Sequence, residues 1–139
     1  MATIRHEQPI AVPAEKAWEM LRQPELADQL FSPVLVGCTM QDDVRTVTFA
    51  NGLVVSEQII TIDDADRRLA YHAMGEMFEQ HSASMQIIPV DDGNCRFIWI
   101  SDFLPEDRAE TVQPLVTQGS NALAQNIQAR AAYPFGAKE

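Results

Sequence analysis

Basic residues are scarce in this chain. Ten Lys and Arg stand against twenty Asp and Glu, a formal net charge of −10 over 139 residues. A phosphate backbone is held by Lys and Arg that displace its counterions, and Arg67-Arg68 is the one adjacent basic pair. Nucleic acid is therefore not an expected partner. Cysteine is scarce too. Cys38 and Cys95 belong to no CxxC pair and have no His at metal-ligand spacing, so two buried, reduced thiols are expected rather than a disulfide. The three histidines form no HxH or HExxH motif, and no Ser-His-Asp order or Gly-rich phosphate loop is visible. No metal and no cofactor is expected.

Long apolar runs are also missing. The longest uncharged stretch, Thr111 to Ala129, approaches membrane length but is interrupted by Gln, Asn, Ser and Thr, so no integral membrane segment is expected. The start, Met1 to Glu7, lacks the apolar core of a signal peptide, and a cytoplasmic location follows as the expectation. What remains is ordinary for a folded domain: 46% hydrophobic and 22% charged residues. A chain of this length suits one domain over residues 1–139, burying roughly 70% of its unfolded surface.

Thr3 to Ile10 reads as a short strand ended by prolines. Ala14, Ala17, Trp18 and Leu21 then recur at helical spacing, with Glu15, Lys16, Glu19 and Arg22 on the other side. Pro24 stops that helix, and Glu25 to Phe31 has room for one further short turn. Six strands are expected next: 34–40, 44–49, 53–62, 67–74, 80–90 and 95–104. The links between them are short, which makes consecutive strands antiparallel neighbours. Asn51-Gly52 predicts a type I′ hairpin turn. After Pro105 a helical stripe through Val112, Leu115, Val116, Gly119, Ala122, Leu123 and Ile127 runs to about Ala132, with a kink or break expected at Pro114. The order predicts an α+β protein with helices on one face of an antiparallel sheet.

Period-two bookkeeping selects the side chains that can meet. The inner set is Arg45, Val47 and Phe49 in one strand and Leu69, Tyr71 and Ala73 in another. His81, Met85 and Ile87 follow, then Phe97, Trp99 and Phe103 in the last strand. Hydropathy alone leaves the face of Glu57 open. With Glu57 inward, a few polar groups would sit in an apolar wall, the composition of a small-molecule cavity.

Several segments together resemble a known family. They are Val12-Pro13-Ala14-Glu15-Lys16-Ala17-Trp18, Asp43 to Phe49, Asn51-Gly52, Ser56-Glu57, Asp63 to Tyr71, and Arg96-Phe97-Ile98-Trp99. In order and spacing the chain is similar to the SRPBCC, or START-like, superfamily in its polyketide cyclase/dehydrase branch. The resemblance implies a helix-grip fold, a curved antiparallel sheet wrapped around a long C-terminal helix, with two short helices after the first strand. It also implies an apolar cavity that Glu57 faces.

The resulting expectation is a protein that binds a small hydrophobic molecule. The ligand-binding set is Arg45, Phe49, Glu57, Tyr71, His81, Met85, Phe97, Trp99, Gly119 and Leu123. Glu57 and His81 are the candidates for acid/base work, aldol cyclisation or dehydration, if there is any chemistry. Each has a structural reading beside it: a carboxylate paired with Arg45 across neighbouring strands, and a satisfied wall histidine. The alternatives are a carrier or sensor without chemistry, and an interaction module working through outward Ile98 and Ile100. A monomer or homodimer is expected.

Overall fold

The structure, a computed structural model, describes residues 2–132. β1 (Ala2–Ile10) leads into α1 (Ala14–Leu21) and, after a 3-10 turn at Pro24–Leu26, the single turn of α2 (Ala27–Leu30). The strands β2 (Leu35–Gln41), β3 (Val44–Phe49), β4 (Val54–Asp63), β5 (Arg68–Met74), β6 (Gln80–Asp91) and β7 (Asn94–Leu104) follow. A 3-10 turn at Glu106–Arg108 then opens onto α3 (Ala109–Ala132).

The seven strands form one antiparallel sheet in the order β1-β7-β6-β5-β4-β3-β2. The meander from β2 to β7 is what short links require. The placement of β1 beside β7, paired from Ala2↔Phe103 to Ile10↔Cys95, is a long-range event. Together the sheet and α3 make the helix-grip fold.

Local chemistry explains the element ends. Pro13 supplies a fixed φ of −57° and the carbonyl that accepts from Ala17 N–H, starting α1 with Glu15 in its first turn. The buried side of α1 is Ala14, Ala17, Trp18 and Leu21. Its other end is tied to the β4–β5 turn, where Asp64 accepts from Trp18 Nε1 and Arg22 Nε, each at 2.8 Å.

Two expectations need correction. The β3–β4 turn is not type I′, because Asn51 keeps a negative φ and only Gly52, at +95°, is left-handed. Gly52 N–H donates to Phe49 carbonyl and Phe49 N–H to Leu53 carbonyl, a three-residue loop closed by a glycine bulge. The long helix is also not divided at Pro114, which lies inside α3. Pro114 is the sixth residue of the helix, so its missing N–H costs only the bond to Glu110 carbonyl, near an end where donors are unpaired anyway. Of the two thiols, Cys95 is buried as expected but Cys38 is only half-buried.

The core lies between the sheet's concave face and the helices. Ala17, Ile87, Phe97, Leu123 and Ile127 have no exposed surface, and each large apolar side chain so buried contributes about 1.5–3 kcal/mol. On α3 the inward residues are mostly small (Gly119, Ser120, Ala122, Ala124), which lets the helix lie close to the sheet. A bulge in β4 between Ile59 and Thr61 resets the parity. Val55, Glu57 and Ile59 face inward before it, Ile60 is 60% exposed, and Ile62 packs on the core after it. Ile98 and Ile100, on the outer face, are half-buried.

Candidate functional site

The parity of β3, β4, β5 and β7 brings four polar side chains to the apolar floor of the sheet. Arg45 and Glu57 are direct partners across β3 and β4. Arg45 Nε donates to Glu57 Oε1 at 2.8 Å, Nη2 lies 2.7 Å from the same oxygen in an ion pair, and Nη1 donates to Pro24 carbonyl at 3.3 Å. Both residues are buried. The Arg45 guanidinium carbon also lies 5.4 Å from the centre of the Tyr71 ring, a cation–π distance. Tyr71 oxygen in turn accepts from Trp99 Nε1 at 3.1 Å.

Burial raises the Glu57 carboxyl above its ordinary range, with Arg45 pulling the other way. Protonating Glu57 would leave a buried guanidinium without its counter-charge, so the pair is ionic at neutral pH. Burial, and the neighbouring Glu57 charge after it, also push the Tyr71 hydroxyl up, which keeps its proton in place.

His81 is differently committed. The ladder between β5 and β6 ends at Tyr71↔Ala83. Beyond it the Ala73 N–H donates 2.8 Å to His81 Nδ1, so a side chain takes over where the backbone partner is lost. Nδ1 must then carry the lone pair, and the proton sits on Nε2, 3.3 Å from Ser101 Oγ. Burial, helped by His72, lowers its pKa to about 4. His81 is a neutral ring with no lone pair left to take a ligand's proton.

These groups border a cavity in two adjoining compartments. The one beside α2 is lined by Phe31, Leu35, Arg45, Phe49, Glu57, Tyr71, Met85, Trp99, Leu115 and Gly119, among others. The one beside the β5–β6 loop is lined by Phe49, Glu57, Tyr71, Met77, Phe78, His81, Trp99, Ser101 and Leu115, among others. Phe49, Glu57, Tyr71, Trp99 and Leu115 belong to both. The compartments leave about 30 and 70 Å³ for the centres of water molecules, where one water needs roughly 10–15 Å³.

Eight of the ten expected residues reach this cavity. Phe97 and Leu123 do not: both are fully buried in the packed core beneath it. Parity and helical stripe identify an inward face but not which inward residues stop short of neighbours. Gly119 is at the wall for a steric reason. A Cβ there would lie 3.2 Å from Trp99 Cζ3 and 3.4 Å from Phe31 Cδ1. Sequence reasoning did not single out Phe31, Leu115, Ser101, Met77 and Phe78 as cavity residues. Leu115 sits on the stripe of α3 and Ser101 shares the inner parity of β7, but Phe31 follows the single turn of α2 and Met77 and Phe78 lie in a loop without period.

Fold and site together define a helix-grip protein with a polar cluster in an apolar cavity. The chain belongs to the polyketide cyclase/dehydrase and lipid transport family, whose model matches residues 1–132. Its fold is similar to the ZhuI aromatase/cyclase from Streptomyces sp. R1128, with TM-score 0.79 and 16% identity over 99% of each chain. It is also similar to norcoclaurine synthase from Thalictrum flavum, solved with dopamine and hydroxybenzaldehyde (TM-score 0.73, 19% identity, 94% of this chain and 86% of that one). An uncharacterized protein from Bacillus thuringiensis gives TM-score 0.79 and 18% identity over 91% and 98% of the two chains. At such identities the likeness is one of fold. No curated protein matches the chain significantly. No helix among the described residues is long and apolar enough to cross a membrane.

Proposed function

We propose that this chain binds a small, mostly apolar molecule in the cavity between the sheet and α3. The observation that carries this reading is the polar cluster itself. A buried ion pair is not needed for a stable sheet, since apolar residues of similar volume often serve as well or better. Here it stands in an aromatic wall, with Glu57 Oε2 and the Tyr71 proton unengaged by any described residue. That is a few placed polar groups in an apolar pocket.

The same inventory favours holding over chemistry. Aldol cyclisation or dehydration needs a base, and His81 has given its lone pair to Ala73 N–H. If a poly-carbonyl chain is turned over, Glu57 Oε2 is the group that takes the proton and Tyr71 O–H the group that steadies the enolate oxygen. A carrier or sensor needs neither step. The protein is read as acting in the cytoplasm, as a monomer or homodimer.

Titration with para-fluorotoluene followed by fluorine NMR tests the reading. Saturable binding is expected, with intermolecular NOEs to the Trp99 indole and the Leu115 methyls. Unsaturable binding, or NOEs confined to surface groups, would overturn it.

A further inference from the structure

The polar atoms left over at the cavity wall specify a ligand group, an inference that rests on the cavity reading above. Glu57 Oε1 is taken by Arg45, while Oε2 accepts no hydrogen bond among the described residues. Tyr71 oxygen accepts from Trp99, and its own proton has no acceptor among them. His81 is used at both ring nitrogens. The Ser101 O–H, which His81 Nε2–H leaves over, is a further donor in the second compartment; at the Glu57–Tyr71 corner one acceptor and one donor remain. They are close, because Tyr71 pairs with Ile59, two residues from Glu57 on the same face, and such diagonal neighbours lie within reach of long side chains.

A hydroxyl group matches both, donating to Glu57 Oε2 and accepting from Tyr71 O–H. An ether or ketone only accepts and would leave the carboxylate oxygen unpaired and newly desolvated. A carboxylate is worse. Arg45 is the one cationic side chain on the wall of either compartment and is already neutralised by Glu57. A ligand anion would therefore be an uncompensated buried charge beside a second carboxylate. We infer that the site selects an uncharged ring compound carrying a hydroxyl group, a phenol or alicyclic alcohol, and rejects the matching carboxylate. Phe31, Phe49 and Trp99 supply flat surfaces for the ring.

The test is fluorine NMR titration at neutral pH with para-fluorophenol, para-fluoroanisole, para-fluorotoluene and para-fluorobenzoate. The phenol should bind about tenfold or more tighter than the toluene, as hydrogen bonding to a charged group implies. The anisole should gain nothing over the toluene, and the benzoate should not saturate. Tyr71→Phe and Glu57→Gln, each checked for folding by circular dichroism, should lower phenol affinity more than toluene affinity and so collapse the ratio between the two. Tyr71→Phe keeps the ion pair, so the test survives if Glu57→Gln does not fold. Toluene binding without a phenol advantage, benzoate binding as tight as phenol, or an advantage retained in a folded Tyr71→Phe would each overturn the inference alone. No binding by any of the four would overturn the cavity reading with it.

Discussion

Arg45 and Glu57 stand directly opposite each other on β3 and β4, and two guanidinium nitrogens converge on one carboxylate oxygen at 2.7 and 2.8 Å. The geometry leaves the other oxygen to the cavity, so one residue is at once a strut of the sheet and a face of the site.

The pair's removal in halves should be costly and its removal whole should not. Arg45→Met leaves a buried carboxylate alone and should lose about 3–5 kcal/mol, as breaking a buried pair from one side does. Arg45→Met with Glu57→Leu should recover most of that loss. Urea unfolding of the wild type, the single and the double variant measures it. A double variant as unstable as the single one would show that the strut is not electrostatic.

His81 gives a pH dependence of defined sign. Its pKa is about 4 in the fold against 6.5 for the ordinary group. Between these values the unfolded chain takes up a proton that the folded chain refuses. The stability tied to neutral His81 is full above pH 6.5 and is lost as the pH falls toward 4. The gap in urea midpoint between wild type and His81→Asn should therefore shrink on acidification through that window. A gap that widens or stays constant would contradict the tautomer read from Ala73 N–H.

Gly119→Ala places a methyl group 3.2 Å from the Trp99 ring. Alanine is favoured over glycine in a helix by about 1 kcal/mol, and displacing the half-buried indole opposes that gain. Thermal stability should thus change little, while the indole shifts into the cavity. Tryptophan emission should change and para-fluorotoluene should bind more weakly. Unaltered emission and affinity would mean that the indole yields in another direction.

Met77 and Phe78 line the compartment beside the β5–β6 loop. Gly75 begins their loop with a φ of +102°. Arg108 Nε donates to Met77 carbonyl at 2.7 Å, and Phe78 stacks on His81 and Phe103 at 4.8 and 5.4 Å. The present compartments are far smaller than the ~300–1,000 Å³ of typical ligand sites, so a ligand must displace something. Phe78→Ala and Arg108→Gln should both speed exchange of para-fluorotoluene, read from fluorine line shapes. Exchange rates equal to wild type would place the way in elsewhere.

Much of the site was legible in the sequence because strand parity is rigid. Once a strand has one apolar face, Arg45, Tyr71, His81 and Trp99 are assigned to it together. Glu57 was open because β4 carries apolar residues on both faces, and its bulge at Ile60 switches the parity halfway along. Phe97 and Leu123 carry the same inward signal as the cavity residues. Their separation from the cavity depends on what packs above them, which no local pattern contains.

The sequence by itself determined the order of elements, the antiparallel meander, the inward faces of most strands and the absence of basic or thiol clusters. These follow from period, proline and glycine positions and charge, all local quantities. Only the tertiary structure decided that β1 closes the sheet against β7, that Oε1 rather than Oε2 of Glu57 is spent on Arg45, and that His81 Nδ1 caps a broken ladder. Each of these depends on groups of different strands, separated by eight residues (Ala73 and His81) to about a hundred (β1 and β7), meeting within about 3 Å, the range over which a hydrogen bond forms or fails.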